Sequence, residues 1–124
     1  MAKFESFEDI IAWQKARDCT LEIYRLTSAD GFSRDFGLKD QVRRSAVSIM
    51  ANIAEGHGRR SNTEFANFLN VARGSVAETQ SHLYLALGLE YIGQDDFRRL
   101  YDLLTEVSKM TLSLARHLRN SATP

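Results

Sequence analysis

Cysteine, proline and long hydrophobic runs are all scarce in this sequence, and each scarcity excludes a class of protein. The single cysteine, Cys19, excludes an internal disulfide framework and a zinc site built from several cysteines. The longest apolar stretch, residues 83–89, is much too short to cross a bilayer. Residues 1–6 carry mixed charge and lack the apolar core of a signal peptide. These absences predict a cytoplasmic protein with no membrane partner.

The only proline is Pro124, so no proline interrupts a helix before the last residue of the sequence. No stretch alternates apolar and polar residues for long enough to indicate a strand, and clustered glycines divide the sequence into four helical segments. Four helices with short connections predict an all-α, antiparallel up-down four-helix bundle, and the length of 124 residues predicts one domain, 1–124. The predicted helices span about residues 7–27, 38–56, 62–88 and 95–119.

The second predicted helix has more apolar surface than one buried face requires. It carries two apolar stripes on different sides, the first formed by Val42, Ala46, Ile49 and Ile53 and the second by Val47, Met50 and Ala54. In a four-helix monomer each helix needs only one buried face. The additional stripe therefore predicts contact with another copy of the chain, and hence a homo-oligomer.

A polar line runs along the same helix with helical spacing, and it consists of Gln41, Ser45, Ser48, Asn52 and Glu55. Serines at this spacing allow another backbone to approach closely, whereas Asn52 and Glu55 need partners if they are buried. Asp40 is spaced to pair with Arg43 or Arg44 on the same helix.

The third and fourth predicted helices have clear end signals. Ser61 and Glu64 form a capping box at the start of the third helix, and Gly74 within it predicts close packing against the small residues of the second helix. The fourth helix has acidic residues at its start and basic residues at its end, as the helix dipole favours. Its apolar seam consists of Phe97, Leu100, Leu104, Val107, Thr111, Leu114 and Leu118.

Residues that carry chemistry are few and scattered. Histidines 57, 82 and 117 fall in different segments and form no His-x-x-His or Glu-x-x-His pair, so we expect no metal site. Cys19 lies on the apolar stripe of the first helix and is interpreted as a core residue. Glu55, Glu64 and Glu78 are interpreted as ion-pair partners rather than catalytic acids and bases. We therefore expect no enzymatic activity and no cofactor.

The net charge of zero conceals separated charge. Residues 39–73 contain six basic and three acidic residues, whereas residues 74–96 contain four acidic residues and no base. Arginine suits bidentate contacts with phosphate, and Arg59 and Arg60 immediately precede the capped start of the third helix, where free N–H groups also attract anions. The candidate nucleic-acid-binding residues are Arg43, Arg44, Arg59, Arg60 and Arg73.

A structural interpretation of the same residues remains open. Arg43 and Arg44 would then pair with acids of the same chain or of a neighbouring subunit, and Arg59 and Arg60 would cap the carbonyls at the end of the second helix. In the corresponding alternative function, a protein-binding scaffold, the residues that fix subunit or helix register are Asn52, Glu55, Arg73 and Glu78.

Several motifs resemble those of the 23S ribosomal RNA intervening-sequence protein family. The resemblance begins with AWQKA at residues 12–16 and is strongest in QVRRSAVSI at 41–49 and ANIAEG at 51–56. It continues in order through RS at 60–61, EF at 64–65, FL at 68–69, ARGS at 72–75 and Glu78. The sequence is identified as a member of this family by a match that covers nearly its whole length.

The resemblance implies a small four-helix bundle, often encoded within intervening sequences of bacterial ribosomal RNA genes, with no established enzymatic activity. It also implies assembly as rings of five subunits. The accessory protein of diversity-generating retroelements is similar in fold and ring assembly, and it binds nucleic acid and a reverse transcriptase. By this analogy the partners expected here are other copies of the chain and RNA or a nucleic-acid–protein complex. Met50 stands where many relatives have proline, which predicts a straighter second helix.

Overall fold

The computed structural model describes residues 4–122, and the regular secondary structure in this part of the chain is entirely helical. A 3-10 turn at Phe7–Asp9 precedes five α-helices: α1 (Ile11–Thr27), α2 (Asp30–Arg34), α3 (Phe36–His57), α4 (Asn62–Gly88) and α5 (Gln94–Ala122). Within residues 4–122, no helix is both long enough and apolar enough to cross a membrane.

The first helix starts later than its periodicity predicts, and a short helix lies where a loop is expected. Ile10 has an extended backbone (φ −78°, ψ 116°), so the 3-10 turn and α1 are separate elements. The additional helix, α2, is anchored by Phe32, whose ring is buried and stacks on Tyr91 with 5.2 Å between centroids. α3 begins at Phe36 rather than near residue 38 because Asp35 caps it, accepting a hydrogen bond of 3.1 Å from the Leu38 N–H.

The four long helices pack as a helical bundle around one core. α3 contacts α1 and α4, while α5 contacts α4 and α1. The apolar seam predicted on α5 faces this core: only Leu114 is half-buried, and the other six members are buried. Each long helix therefore contributes an apolar stripe to a shared interior, as amphipathic helices require.

The prediction that Gly74 packs closely against the second helix is wrong within the chain. Gly74 is exposed, and a Cβ added there would have no neighbour within 4 Å. The close approach occurs at Gly56 of α3, where an added Cβ would lie 2.7 Å from Phe68 Cβ and 2.9 Å from Phe65 Cδ1. The absence of a side chain at Gly56 thus allows α3 and α4 to meet near the loop that joins them.

Candidate nucleic-acid and subunit interfaces

Arg43 is half-buried and is held by contacts with α1. Its Nε donates to Thr27 Oγ1 at 2.7 Å, and its Nη2 donates to Ser28 Oγ at 3.1 Å and to the Tyr24 carbonyl at 3.3 Å. Its guanidinium also lies over the Tyr24 ring, 4.3 Å from the centroid. Arg43 therefore links α3 to the C-terminal end of α1, and its positive charge interacts favourably with the dipole of α1 there.

Arg44, the next residue, is exposed, and within residues 4–122 it makes no side-chain hydrogen bond or ion pair. The expected pairing of Asp40 with Arg43 or Arg44 is absent from the described residues. Arg43 instead contacts α1, and Arg44 is left on the surface with its charge available to a ligand.

Arg59 and Arg60 follow the end of α3 and are both exposed. Arg59 Nη2 lies 2.6 Å from Glu55 Oε2, and its guanidinium lies over the Phe68 ring at 4.7 Å. Arg60 forms no side-chain hydrogen bond or ion pair in the described part of the chain. Ser61 caps α4 as predicted, since its Oγ accepts from the Glu64 N–H at 3.1 Å. The two arginines therefore differ: one is held by neighbours and the other is free.

Arg73 is half-buried in α4, and its Nε is inaccessible and without a hydrogen-bond partner among the described residues. Arg44 precedes His57, the end of α3, by 13 residues, which is about 20 Å of helix. The five candidate arginines accordingly do not form one patch. Arg43 and Arg44 lie in the first half of α3, Arg59 and Arg60 follow its end, and Arg73 lies partly inside the bundle.

The polar line of α3 meets α4 through hydroxyl groups. Ser48 Oγ and Ser75 Oγ are 2.9 Å apart, and Thr79 Oγ1 donates to Ser45 Oγ at 2.8 Å. Asn52 Nδ2 donates to the Ser48 carbonyl at 2.8 Å and to Ser48 Oγ at 3.0 Å. We call these five residues the hydroxyl seam. It satisfies polar groups that would otherwise be costly to bury.

The remaining members of the polar line and of the register-fixing set are peripheral. Gln41, Glu55 and Glu78 are exposed. Glu78 Oε2 lies 3.7 Å from His82 Nε2, and Glu55 pairs with Arg59. Within one chain, the residues expected to fix register therefore do not pair with one another.

The second apolar stripe of α3 lies at the surface of the chain. We call Val47, Met50 and Ala54 the outer stripe: Val47 is 40% exposed, and the other two are half-buried. On α1, Leu21 and Tyr24 are also exposed apolar side chains. The outer stripe therefore has no complete apolar covering from its own chain.

Groups with catalytic potential are apart from one another. Burial raises the pKa of the Cys19 thiol to about 12, with a smaller contribution from the Glu22 charge, so the thiol stays protonated and unreactive at neutral pH. His57 Nε2 lies 2.8 Å from the Phe4 carbonyl, which requires that this nitrogen carry the proton and donate. Within residues 4–122, no three His, Cys, Asp or Glu side chains are grouped so that they could hold a metal ion.

Sequence reasoning missed the hydroxyl seam and the role of Arg43. The serine spacing indicated a close approach but did not identify Ser75 and Thr79 as partners, which lie 27 and 34 residues away from the residues they contact. The hydroxyls of Thr27 and Ser28, at the end of the first predicted helix, were the one available sign that a cation would be bound there.

This fold and these sites define a small helical-bundle protein with scattered surface arginines and an incompletely covered α3. The family model described as 23S rRNA-intervening sequence protein matches residues 8–113, so the chain belongs to that family, as its motifs indicated. It is similar to a solved protein of unknown function from the S23 ribosomal protein family of Bacteroides thetaiotaomicron VPI-5482. The two share 28% identity over 84% of this chain and 97% of the other, with a TM-score of 0.77. No curated protein matches this chain.

Proposed function

We propose that this chain is a non-catalytic cytoplasmic protein that assembles with copies of itself and engages RNA through exposed arginines. The subunit in this proposal is an antiparallel up-down four-helix bundle. Two observations support that arrangement: consecutive long helices pack against one another, and α5 also contacts α1. Short connections between long helices favour antiparallel neighbours.

The observation that carries the proposal is the surface position of the outer stripe. Val47 is 40% exposed on α3, and a separate apolar side chain, Val71, is 54% exposed on α4. Two different apolar surfaces on one subunit suit a heterologous contact, in which each surface meets the other on the next copy. Such a contact closes into a ring when the rotation permits, and the family resemblance suggests five subunits.

RNA engagement is supported by Arg44 and Arg60, the two candidate arginines that are exposed and free of partners in the described residues, with Arg59 beside Arg60. Arginine suits phosphate because its planar guanidinium offers several fixed donors. In an oligomer each subunit repeats these arginines, so contacts that are individually weak add to one another through a high effective concentration.

The RNA proposal is tested with the R44A/R60A double variant. We expect weaker binding to a single-stranded RNA and a flatter plot of log affinity against log salt, by about 0.7 for each phosphate that the protein no longer binds. Arg98→Ala is the matched control, because Arg98 is an exposed arginine whose removal leaves Arg44 and Arg60 intact. An unchanged affinity and salt slope in the double variant contradicts a role for Arg44 and Arg60.

The oligomer is tested with Val47→Asp, which places a charge in the outer stripe. We expect native mass spectrometry to show the assembled species replaced by smaller ones while circular dichroism retains the helical signal, because Val47 contributes little to its own core. Leu21→Asp, at another exposed apolar position, is the control for a general effect of added charge. Intact assembly of the Val47→Asp chain contradicts this choice of contact surface.

A protein scaffold that does not bind nucleic acid is the second candidate function. It is favoured by the commitment of Arg43 to α1 and of Arg59 to Glu55, which leaves fewer arginines for RNA. In this alternative Glu55→Ala weakens the assembly, and RNA added to the wild-type protein leaves its mass unchanged. An intact, equally stable Glu55→Ala oligomer counts against the scaffold role of that residue.

A further inference from the structure

A groove of about 650 Å³ lies between the start of α1 and the second half of α5. Its floor is apolar and includes Ile10, Ile11 and Met110, of which Ile11 is 47% exposed. The basic residues in its lining are Lys109 and His117, and none of the described residues that line it is acidic. Neither Lys109 nor His117 forms an ion pair within residues 4–122. We call this feature the basic groove, and its chemistry suits an apolar segment that carries a negative charge.

The chain itself presents such a segment at the end of α4. Leu85 and Leu89, one helical turn apart, are 53% and 47% exposed, and they are followed by Glu90. The Glu90 backbone has a positive φ of 61°, which turns the chain out of the helix at this point. Glu90 is exposed and forms no ion pair in the described part of the chain. Leu85, Leu89 and Glu90 form what we call the acidic tip, within a stretch, residues 74–96, that contains four acids and no base.

The acidic tip cannot reach the basic groove of its own chain. α5 begins at Gln94, just after the tip, and runs away from it. Lys109 and His117 lie 15 and 23 residues along that helix from Gln94, which corresponds to about 22 and 35 Å. The two surfaces thus lie towards opposite ends of the subunit. Because they are so far apart within one subunit, they can meet only between two copies. Both surfaces are apolar, and their charges are opposite.

We infer that the basic groove receives the acidic tip of a second copy of the chain. Leu85 and Leu89 then cover the floor at Ile11 and Met110, while Glu90 approaches Lys109 and His117. The contact is heterologous, so every subunit uses its tip on one neighbour and its groove on another. It involves neither the outer stripe nor Arg44 and Arg60, but it rests on the self-association proposed above, for which it names a second contact surface.

Charge reversal on each side tests this contact in the full-length chain. Self-association is measured by sedimentation velocity over a series of protein concentrations, at low and at high salt. Each of the single variants K109E and E90K weakens association by about tenfold or more, because like charges then face each other across the contact. The K109E/E90K double variant restores association, since the pair is then reversed rather than removed. In the wild-type protein the association weakens as salt rises.

The matched control is D18K, which makes the same charge change as E90K at an exposed position on α1 and leaves association as in the wild type. Association unchanged in both single variants overturns the inference. So does a double variant that remains as weak as the single ones, because a general charge effect then explains the weakening. If K109E lowers RNA affinity and leaves self-association intact, the groove binds nucleic acid and the inference is wrong.

The same variants made in the Val47→Asp background separate this contact from the outer stripe. Concentration-dependent association that survives Val47→Asp and responds to the charge swap supports the groove contact. Complete loss of association in Val47→Asp contradicts the groove contact and supports the outer stripe. If association is unchanged by Val47→Asp but weakened by the single charge reversals, only the proposal that the outer stripe is an oligomer contact is contradicted.

Discussion

Helix α4 packs against two neighbours in two chemically different ways. Towards α3 it presents hydroxyls, and the hydroxyl seam joins Ser75 and Thr79 to the serines of α3. Towards α5 it presents bulk: the Tyr84 ring lies 4.8 Å from Phe97 and 5.5 Å from Tyr101 between centroids. A polar contact crosses the α5 side as well, since Gln80 Nε2 donates to Thr105 Oγ1 at 2.9 Å.

The two sides depend on different terms of the folding free energy. Burial of large apolar side chains is non-directional and scales with the area removed from water, so the α5 side is stabilised mainly by area. Small side chains bring backbones close together, and their hydrogen bonds require particular distances and angles. The α3 side is therefore more sensitive to small errors of geometry, and the α5 side to a reduction in side-chain volume.

The largest effect is expected from Leu104→Ala on α5. Leu104 is fully buried, and its truncation removes apolar packing and leaves a cavity, at a cost of about 3 kcal/mol in the free energy of unfolding. Urea unfolding at one fixed protein concentration measures the change, since association also affects stability. Leu21→Ala, at an exposed leucine, is the control and should change the free energy by less than about 0.5 kcal/mol. Equal costs at the two positions would contradict the conclusion that buried apolar area stabilises the α5 side.

The next largest effect is expected from Gly56→Ala on the α3 side. The new Cβ lies 2.7 Å from Phe68 Cβ, an atom next to the backbone, so α3 and α4 must separate slightly. Overpacking of this kind costs about 1–3 kcal/mol. The thermal midpoint should fall accordingly.

Gly74→Ala, on the neighbouring helix α4, should change the free energy of unfolding in the opposite direction. Because nothing lies within 4 Å of its added Cβ, the substitution should stabilise α4 by up to about 1 kcal/mol through helix propensity. Loss of assembly in Gly74→Ala, with the helical content retained, would show that the exposed glycine is covered by another subunit. If Gly56→Ala stabilised the protein as well, the close approach of α3 and α4 at Gly56 would be contradicted.

The fold was predictable from the sequence where one helix face is buried and the rest is exposed. The α5 seam follows heptad-like spacing, and periodicity alone identified it because the whole pattern is satisfied inside one chain. The end of α4 at Gly88 was also predicted, yet the residue with left-handed backbone is Glu90. The Tyr91 N–H bonds the Ala86 carbonyl and the Glu90 N–H bonds the Leu87 carbonyl, which is a Schellman motif with glutamate where glycine is usual. Tertiary context thus overrides the local preference at this turn.

The candidate site was less predictable because its contacts join residues that are far apart in sequence. Nothing in the spacing of Arg43 and Arg44 distinguishes them, but the first faces Thr27 of α1 and the second faces outwards. A helical wheel gives the direction of a side chain, not the identity of the neighbour it meets. The outer stripe was identified from periodicity because a second apolar stripe departs from the pattern of one buried face per helix. A hydroxyl side chain gives no such signal, since serine and threonine are compatible with both exposure and burial.

The smallest and most discriminating effect concerns two threonines that are both fully buried, Thr79 on α4 and Thr111 on α5. Thr79 Oγ1 bonds across the hydroxyl seam to Ser45 Oγ, whereas Thr111 Oγ1 bonds only carbonyls of its own helix, those of Val107 and Ser108. Thr79→Val therefore removes an interhelical bond and should cost about 1 kcal/mol. Thr111→Val removes a bond to carbonyls already used by the helix and should be close to neutral.

Urea midpoints of Thr79→Val and Thr111→Val, compared at one protein concentration, report the difference directly. The two substitutions exchange the same hydroxyl for the same methyl group, so the change in side-chain chemistry cancels and the remaining difference belongs to the bond between α3 and α4. If the midpoints coincide, that bond contributes nothing to stability, and the hydroxyls serve only to keep the buried polar groups satisfied. A larger destabilisation in Thr79→Val shows instead that directional hydrogen bonds stabilise the α3 side of α4, whereas buried apolar area stabilises its α5 side.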